Sequence, residues 1–451
     1  AHKGGGVGQT PDFWGNNYFD DTYFNNGEPQ DYDGYCTDVW FEQAFDFIDD
    51  NKDEPFFCYL VTNAPHSPYL VADEYKEPYE GNENISLPAF YGMITNIDEN
   101  FGQLDQKLEK LGLKDNTILI FMTDNGSSGG CSLANGGFVD DGYNAGMRGK
   151  KASYYEGGHR VPFFIRWPEA DIGGGSDVDE LTTHMDILPT FINLCNLEAP
   201  EDVEFDGEDI APLIRGEKEE LSDSDRKVFV QYRQNTNPPQ KWDNAVMTQR
   251  WRLIKGKELY DIQEDPGQEN DVSDKYPGVV KELRQAHENW WKKISPKLEE
   301  RCPISLGNKA ENPTRLGSMD VMGDVAWNQC HIARAKKSTG KWWVDVEKEG
   351  KYRFSLRRWP EELDLPIDAG ISPEEIDEIA PYEQDKECQT ISPEQAQLKI
   401  FDREYTKELD SGEKKVSFEL ELSQTGVTEL EAWFMSEDDY QGAYYVYVER
   451  L

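Results

Sequence analysis

The sequence contains no apolar run long enough to cross a bilayer. A transmembrane helix needs about 20 consecutive apolar residues, and the apolar runs here are far shorter. No apolar segment of the signal-peptide type opens the sequence either. The sequence therefore predicts no membrane span.

Basic residues are scarce relative to acidic ones. The 451 residues include 46 Lys and Arg against 88 Asp and Glu, which gives a formal net charge of −42. A surface of this sign repels phosphate backbones and anionic membranes. Nucleic acids are therefore excluded as expected partners.

Cysteine is sparse and scattered. The seven cysteines form no C-x-x-C pair and no Cys/His cluster with zinc spacing. Their odd number argues against a complete disulfide framework. In contrast, 37% hydrophobic and 12% aromatic residues suffice for ordinary cores, and the length allows two or three domains.

The stretch around which the chain is organised covers residues 117–126, Thr-Ile-Leu-Ile-Phe-Met-Thr-Asp-Asn-Gly. Its short apolar run predicts a central parallel strand covered on both faces. Asp124 and Asn125 follow where the strand ends, at the edge where α/β sheets bind ligands. Their oxygens suit Ca²⁺ or Mg²⁺. The alternative is a simple turn, since Asp-Asn-Gly is also a common turn sequence.

Helices and strands alternate around this stretch. We predict a helix over residues 37–49 with Thr37 as its N-cap, and a second buried strand over residues 56–62. That strand ends at Asn-Ala-Pro-His66-Ser-Pro, where two prolines stiffen the loop that presents His66. A further buried strand is predicted over residues 161–167.

The strongest helical pattern precedes the central strand. Its apolar residues recur every three or four positions from Ile94 to Leu111, and Gly112 marks the C-terminal end. The order of helices and strands predicts an α/β fold.

The pattern of predicted helices and strands changes twice along the chain. We predict an α/β core over residues 1–200, and a small α+β subdomain over residues 201–296, where short strands precede one amphipathic helix. Residues 297–451 carry strand patterns only, which predicts a β-sandwich or jelly roll. An acidic insertion is expected over residues 361–394.

Several motifs, taken together, resemble the sulfatase family of the alkaline-phosphatase-like superfamily of metal-dependent ester hydrolases. The motifs are Asn-Ala-Pro-His66-Ser-Pro, Met-Thr-Asp124-Asn125-Gly, Arg148-Gly-x-Lys151-x-x-x-Tyr-Glu156-Gly-Gly-x-Arg160-Val-Pro, Gly34-Tyr-Cys-Thr-Asp38 and Lys257-Glu-Leu-Tyr-Asp-Ile262. The resemblance covers about residues 1–295. It implies a mixed sheet with flanking helices as the fold.

The resemblance also implies roles for individual residues. Asp124 and Asn125 match two oxygen ligands of a Ca²⁺ ion, although Mg²⁺ is possible. His66 matches a histidine that contacts the sulfate or protonates the leaving group. Lys151, rather than Lys150, matches a lysine that neutralises sulfate charge.

Other polar residues near these motifs have simpler interpretations. Glu156 and Arg160 are predicted to form a structural ion pair rather than to act in catalysis. His184 and Asp186 are predicted to fix the start of a helix. His2 either lines the substrate-binding mouth or belongs to a flexible segment.

The sequence departs from the family at the nucleophile. Sulfatases carry a Cys or Ser in Cys/Ser-x-Pro-x-Arg that is converted to formylglycine, and no such motif occurs here. Residues 311–315 have the x-Pro-x-Arg spacing, but Glu311 cannot form an aldehyde. The nucleophile is therefore expected outside this sequence. We favour a truncated sequence, while a second polypeptide or a non-catalytic binder are the alternatives.

These observations predict an extracellular or periplasmic sulfatase. Its substrates would be sulfated small molecules or glycans, cleaved by a Ca²⁺-assisted formylglycine mechanism. The carbohydrate expectation comes from Trp342, Trp343 and Trp359, which either stack on sugars or pack in the sandwich core. The alternatives are a phosphodiester or phosphonate hydrolase and a glycan-binding protein with a degenerate core. The sequence leaves the oligomeric state open.

Overall fold

A computed structural model describes residues 7–221, 225–233, 239–372, 374–375, 388–437 and 439–451. The first part of the chain forms an α/β unit. Its elements are β1 (Thr22–Asn25), β2 (Glu28–Asp31), α1 (Cys36–Asn51), α2 (Asp73–Lys76), α3 (Pro88–Lys110), β3 (Leu119–Met122), β4 (Cys131–Leu133), β5 (Val139–Gly142), α4 (Glu156–His159), β6 (Phe163–Arg166), α5 (Ile187–Leu194) and α6 (Ala211–Ile214).

Helices α1 and α3 lie where their apolar patterns predict them. Pro88 occupies the first turn of α3, where a missing N–H costs nothing, and Gly112 follows the helix with φ +71°. The predicted N-cap is wrong, because Thr37 lies buried inside α1 and Tyr35 is the N-cap. The two helices share a core that includes Phe41 and Leu108.

The predicted central parallel strand differs from the observed β3. β3 pairs antiparallel with β6, from Leu119 opposite Arg166 to Met122 opposite Phe163. The two strands form a two-stranded sheet. All four residues of β3 are only half-buried, so β3 is not covered on both faces as its apolar sequence predicts.

The second predicted strand is also not formed. Residues 56–62 belong to no assigned strand. Phe56 and Leu60 pack against the α1/α3 core, whereas Phe57, Tyr59 and Val61 are 73%, 80% and 56% exposed. The apolar pattern is that of a strand, but the backbone has no strand partner among the described residues.

The middle of the chain forms the predicted α+β subdomain. One antiparallel sheet has the order β10-β9-β8-β7, and a helix packs against it through Leu283, which meets Leu253 and Leu259. The elements are β7 (Val228–Gln231), β8 (Asn244–Met247), β9 (Trp251–Ile254), β10 (Glu258–Asp261) and α7 (Pro277–Ile294).

The last part of the chain is a β-sandwich. One sheet has the order β11-β13-β18-β15-β16, with β19 beside β18, and the other has the order β12-β20-β14-β17. Apolar residues of both sheets form a single buried core. The elements are β11 (Ile304–Leu306), β12 (Thr314–Gly317), α8 (Gln329–Ala333), β13 (Trp342–Val346), β14 (Gly350–Arg357), β15 (Gln395–Ile400), β16 (Arg403–Glu408), β17 (Val416–Leu422), β18 (Gly426–Met435), β19 (Tyr440–Gly442) and β20 (Tyr445–Arg450). Part of the predicted acidic insertion, residues 373 and 376–387, lies outside the described residues.

Residues 7–16 connect the sandwich to the α/β unit. The Thr10 amide donates to the Trp327 carbonyl at 3.1 Å, and the Tyr445 hydroxyl donates to the Thr10 carbonyl at 2.9 Å. Trp14 packs edge-on against Trp359, with ring centroids 5.3 Å apart. Residues 7–16 are thus attached to the sandwich.

Two of the three sandwich tryptophans that were predicted to stack on sugars or to pack in the core are buried. Trp342 and Trp359 are 1% and 0% exposed, so neither ring is available to stack on a sugar. Trp343 is half-buried and lies under the Arg301 guanidinium at 5.7 Å. The described helices include none that is both long enough and apolar enough to span a bilayer.

Candidate functional site

Asp124 and Asn125 lie just beyond the C-terminal end of β3, as predicted. Asp124 is exposed and Asn125 half-buried. The Asn125 Nδ2 donates to the Gly126 carbonyl at 3.0 Å, which leaves its carboxamide oxygen out of that bond. The two residues therefore present a carboxylate and an amide oxygen, the hard donors that Ca²⁺ prefers.

Glycines let three backbone segments touch behind this pair. The Gly126 amide donates to the Gly158 carbonyl at 3.1 Å. A Cβ on Gly126 would lie 1.9 Å from the Gly157 carbonyl oxygen, and a Cβ on Gly157 would lie 2.2 Å from the Gly149 carbonyl oxygen. Only glycine permits such approaches. The Glu-Gly-Gly motif is thus explained by close packing of backbones.

This packing places Lys151 beside the Asp124–Asn125 loop. The Lys151 amide donates to the Ser127 carbonyl at 2.9 Å, two residues beyond Asn125. The turn that leads to Lys151 is held by Asn144, a buried residue whose Nδ2 donates to the Gly149 carbonyl at 2.6 Å. The structure therefore brings the backbone of Lys151 to the predicted metal ligands.

His66 lies on a neighbouring loop. Its Nδ1 is 2.6 Å from the Ser67 carbonyl oxygen. Because a carbonyl can only accept, Nδ1 carries a proton and Nε2 can donate only in the imidazolium form. Further along the same loop, Tyr69 lies against Gly129, where an added Cβ would be 2.7 Å from the Tyr69 hydroxyl. The loops of His66 and Asp124 are therefore in contact.

Arg148 fixes the Lys151 segment to the α+β subdomain. Its guanidinium donates to the Tyr260 hydroxyl and to the Gln268 carbonyl, both at 2.9 Å. It also stacks over the Tyr155 ring at 3.9 Å. The sequence motif contains Arg148, but no local signal identifies Tyr260 and Gln268 as its partners, because they lie 112 and 120 positions away in the sequence.

The predicted Glu156–Arg160 ion pair forms, but it is the longer of two ion pairs that Glu156 makes with arginines. Arg160 approaches Glu156 only to 3.7 Å and is largely exposed, whereas the buried Arg252 bonds to Glu156 at 2.6 Å. Burial is the largest single influence and raises the pKa of Glu156, but Arg252, His159 and Arg160 together hold that pKa below its usual value. The ion pair is structural, as predicted, with a distant partner that the sequence did not reveal.

The helix-start prediction is confirmed for Asp186. Its side chain accepts from the Thr183 amide at 2.7 Å in a capping box. It also pairs with Arg226 at 2.6 Å. His184 begins the same 3₁₀ turn.

Two predictions about ligands have different outcomes. His2 lies outside the described residues, so its role stays a prediction. In the described part of the chain, no group of three or more His, Cys, Asp or Glu could hold a metal. Asp124 and Asn125 fit Ca²⁺ by donor type, and they would supply two of the 6–8 oxygen ligands that this ion takes.

Comparison with known proteins assigns the first two parts of the chain. Residues 3–197 match the sulfatase family, and residues 146–293 match the N-sulphoglucosamine sulphohydrolase C-terminal family. The rat (Rattus norvegicus) steryl-sulfatase is 35% identical over 190 residues, which cover 42% of this chain and 31% of that protein. The N-acetylgalactosamine-6-O-sulfatase of Bacteroides thetaiotaomicron is 29% identical over 284 residues, which cover 56% of this chain and 50% of that protein.

A solved structure supports the same relationship. The crystal structure of Ps i-CgsB matches with a TM-score of 0.52 and 27% identity, over 60% of this chain and 58% of that one. The matched part of this chain spans 31% and 50% of the lengths of the two curated relatives described above. Residues 3–293 of this chain therefore belong to the sulfatase family, with its alkaline-phosphatase-like fold.

Proposed function

We propose that this chain supplies the Ca²⁺-binding and sulfate-binding part of a sulfatase. The proposal rests on one observation, made in a chain of this family. The loops that carry His66 and Lys151 both contact the loop that carries Asp124 and Asn125. The Lys151 amide reaches the loop that follows Asn125, and the His66 loop packs on the same loop through Tyr69 and Gly129. A cation, an imidazole and two oxygen donors are thus carried on adjoining segments.

Each residue has a distinct task in this proposal. Asp124 and Asn125 hold two coordination positions of Ca²⁺. The Lys151 ammonium offsets the negative charge that shifts toward the leaving oxygen in the transition state. The His66 imidazolium donates its Nε2 proton to that oxygen. Bound Ca²⁺ supplies polarisation of the sulfate, and formylglycine, on a residue outside this sequence, supplies the nucleophile.

The substrate class proposed is a sulfate ester of a carbohydrate or an aryl compound. Support comes from relatives, which include a carbohydrate sulfatase and a steryl-sulfatase. Ps i-CgsB has been solved in complex with k-i-k-neocarrahexaose, a carbohydrate. The buried Trp342 and Trp359 give no support of their own. An extracellular or periplasmic location remains part of the proposal.

A non-catalytic glycan-binding protein is the second candidate. One observation favours it: among the described residues, no group of three or more His, Cys, Asp or Glu side chains assembles that could hold a metal. The same observation gives no support to phosphodiester or phosphonate hydrolysis, which usually requires more metal ligands. Release of sulfate from a sulfate ester is expected of the sulfatase and of neither alternative, so this measurement distinguishes the candidates.

The test measures sulfate release from an aryl sulfate and from a 6-sulfated sugar in the presence of Ca²⁺. The protein assayed combines this chain with a nucleophile-bearing sulfatase segment. Lys151→Ala should lower kcat by about 10²–10³-fold, the usual cost of removing one preorganised charge-stabilising group.

Lys150→Ala is the matched control, because Lys150 adjoins Lys151 but points its ammonium to the Cys131 carbonyl at 3.5 Å. It should retain nearly full activity. Equal losses in both variants, or no Ca²⁺-dependent sulfate release, would contradict the proposal.

A further inference from the structure

We propose that the C-terminal β-sandwich positions His66, and that residues 7–18 transmit this effect from the sandwich to the His66 loop. The catalytic meaning of the proposal rests on the function proposed above, in which the His66 imidazolium donates a proton. The physical link between the sandwich and the loop does not depend on that function.

The middle of the segment 7–18 is bonded to the sandwich unit. Gln329 of α8 is 2% exposed, and its side chain accepts from the Gly15 amide and donates to the Phe13 carbonyl, both at 3.0 Å. The Tyr445 hydroxyl adds its bond to the Thr10 carbonyl at 2.9 Å. A side-chain amide that both donates and accepts fixes the path of the backbone it contacts.

Both ends of the same segment lie in the core that supports the His66 loop. Val7 and Tyr18 are 1% and 0% exposed, and they belong to one apolar cluster with Ala64 and Val71. Ala64 precedes His66 in the sequence and Val71 follows it. The segment therefore contacts the sandwich through its middle and the core of the His66 loop through its ends.

Two tyrosine hydroxyls hold the backbone of the His66 loop. The Tyr18 hydroxyl donates to the His66 carbonyl at 3.4 Å, and the Tyr35 hydroxyl donates to the Leu70 carbonyl at 2.9 Å. The two tyrosines are themselves connected, because the Cys36 amide donates to the Tyr18 carbonyl at 2.8 Å. A displacement of Tyr18 would therefore reach the loop at both points.

The backbone of Tyr18 is strained. Its φ is +93°, which is costly for an aromatic residue and persists only where the surroundings impose it. The Asp21 carboxylate accepts from the Asn17 and Tyr18 amides at 2.7 and 2.9 Å and from the Tyr23 hydroxyl at 2.7 Å. These contacts keep the Tyr18 side chain in the core beside His66.

Positioning of this kind affects the rate without any contact with the substrate. The His66 Nδ1 is engaged with the Ser67 carbonyl oxygen at 2.6 Å, so proton donation falls to Nε2. A misplacement of about 1 Å at a reacting group can cost about 10²-fold in rate. The sandwich would thus contribute to turnover through the placement of the imidazole.

The first measurement is amide hydrogen exchange by mass spectrometry on the 451-residue chain. The His66 amide donates to the Asn63 carbonyl at 2.9 Å, so exchange in a peptide covering residues 63–70 reports opening of the loop. The variants are Tyr445→Phe, which removes one bond to the segment 7–18, and Gln329→Ala, which removes two.

Both variants should speed exchange in peptides 7–18 and 63–70 by about threefold to tenfold, the effect of losing one or two hydrogen bonds. Tyr352→Phe is the matched control. Tyr352 is also fully buried in the sandwich, but its hydroxyl donates to the Lys348 carbonyl at 2.7 Å. This variant should leave exchange in both peptides unchanged.

The second measurement is a double-mutant cycle in this chain combined with a nucleophile-bearing sulfatase segment. Tyr445→Phe should lower kcat by about threefold to tenfold and leave KM unchanged. In a His66→Ala background it should have no further effect, because no imidazole is left to position. A loss of stability alone would lower kcat in both backgrounds.

The proposal would be overturned by unchanged exchange of peptide 63–70 in both variants. Faster exchange of the same size in the peptides of α7 would also overturn it, since that result indicates general destabilisation. Equal kcat losses with and without His66 would have the same meaning. If the unmodified combination released no sulfate, the proposed function would fail instead, and the exchange data would still decide whether the sandwich holds the His66 loop.

Discussion

At the scale of single residues, the candidate site depends on glycines more than on charged side chains. Gly126, Gly157 and Gly158 allow backbones to approach so closely that any Cβ would overlap a carbonyl group. Lys151 is placed by these contacts and by Asn144. The sequence motifs indicated Lys151 as a candidate site residue, while the reason for the neighbouring glycines appears only in three dimensions.

Gly157→Ala should destabilise the protein and disturb the site. Its methyl group would lie 2.2 Å from the Gly149 carbonyl oxygen, and such overpacking costs about 1–3 kcal/mol. Gly278→Ala is the matched control, since a Cβ there meets nothing within 4 Å and alanine favours the helix. Urea denaturation should show a lower midpoint for Gly157→Ala alone. Equal midpoints would mean that the loop packing is looser than described.

Contacts between residues far apart in the sequence were not predicted. The shorter ion pair of Glu156 is with Arg252, 96 positions away, and Arg148 binds Gln268 across 120 positions. Local motifs predicted the ion pair with Arg160, which forms at 3.7 Å, but they did not predict Arg252. Long-range ion pairs depend on how separate units dock, and no spacing rule predicts this docking.

At the scale of elements, apolar periodicity predicted the helices and the sandwich strands well. The helix predicted over residues 37–49 is α1 (Cys36–Asn51), and the strand predicted over residues 161–167 is β6 (Phe163–Arg166). Residues 56–62 have the composition of a strand but no strand partner. Composition thus predicts which segments are able to form strands, while pairing depends on a neighbour that the described chain does not provide.

Asp38 joins α1 to α3 and provides a test at this scale. Its Oδ1 accepts from Asn96 at 2.8 Å and from Asn100 at 2.7 Å. Both asparagines are buried on α3. Asp38→Ala would remove the carboxylate acceptor from both amide groups, leaving Asn100 with only the Asn96 carbonyl at 2.9 Å, and should cost about 1–3 kcal/mol.

Thermal unfolding should therefore show a clearly lower Tm for Asp38→Ala. Asp46→Ala, on the exposed side of α1, is the control and should change Tm little. Similar changes in the two variants would indicate that the polar contact between the helices adds no stability.

At the scale of the whole molecule, three units are held together by polar contacts between distant segments. Residues 7–16 join the sandwich through Thr10 and Tyr445, and Glu156 and Arg252 join the α/β unit to the subdomain. The order of the units was predicted, but the attachment of the opening loop to the sandwich was not. A loop rich in Gly, Asn and aromatics carries no periodic signal that would indicate its partner.

Stability should fall as the pH drops below the ordinary range of histidine. Burial is the largest cause that lowers the pKa of His159 and of His287. Near His159, Glu156 opposes that shift and Arg252 adds to it. Near His287, Glu288 opposes the shift and Lys241 adds to it. Below about pH 6.5 the unfolded chain binds protons that the folded protein does not, so folding becomes less favourable.

Glu156 also makes the folded protein less stable as the pH falls, but at a lower pH than the histidines. Its pKa lies below its usual value, so its contribution is present above about pH 4.5 and is lost as the pH falls further. Urea midpoints at about pH 7.5 and about pH 5.5 would test the histidine effect. His287→Phe should flatten the slope, and His184→Phe, at an exposed position, should not. A wild-type midpoint that rises at the lower pH would contradict this account.

The central claim is that Asp124 and Asn125 bind Ca²⁺ and that Lys151 and His66 bind the sulfate. The most direct test is a crystal structure of this chain combined with a nucleophile-bearing sulfatase segment, with Ca²⁺ and a sulfated substrate analogue bound. The account predicts a cation about 2.3–2.6 Å from oxygens of both Asp124 and Asn125. It also predicts the Lys151 ammonium and the His66 Nε2 within hydrogen-bond distance of sulfate oxygens. A cation bound without Asp124, or a sulfate held away from Lys151, would contradict the account.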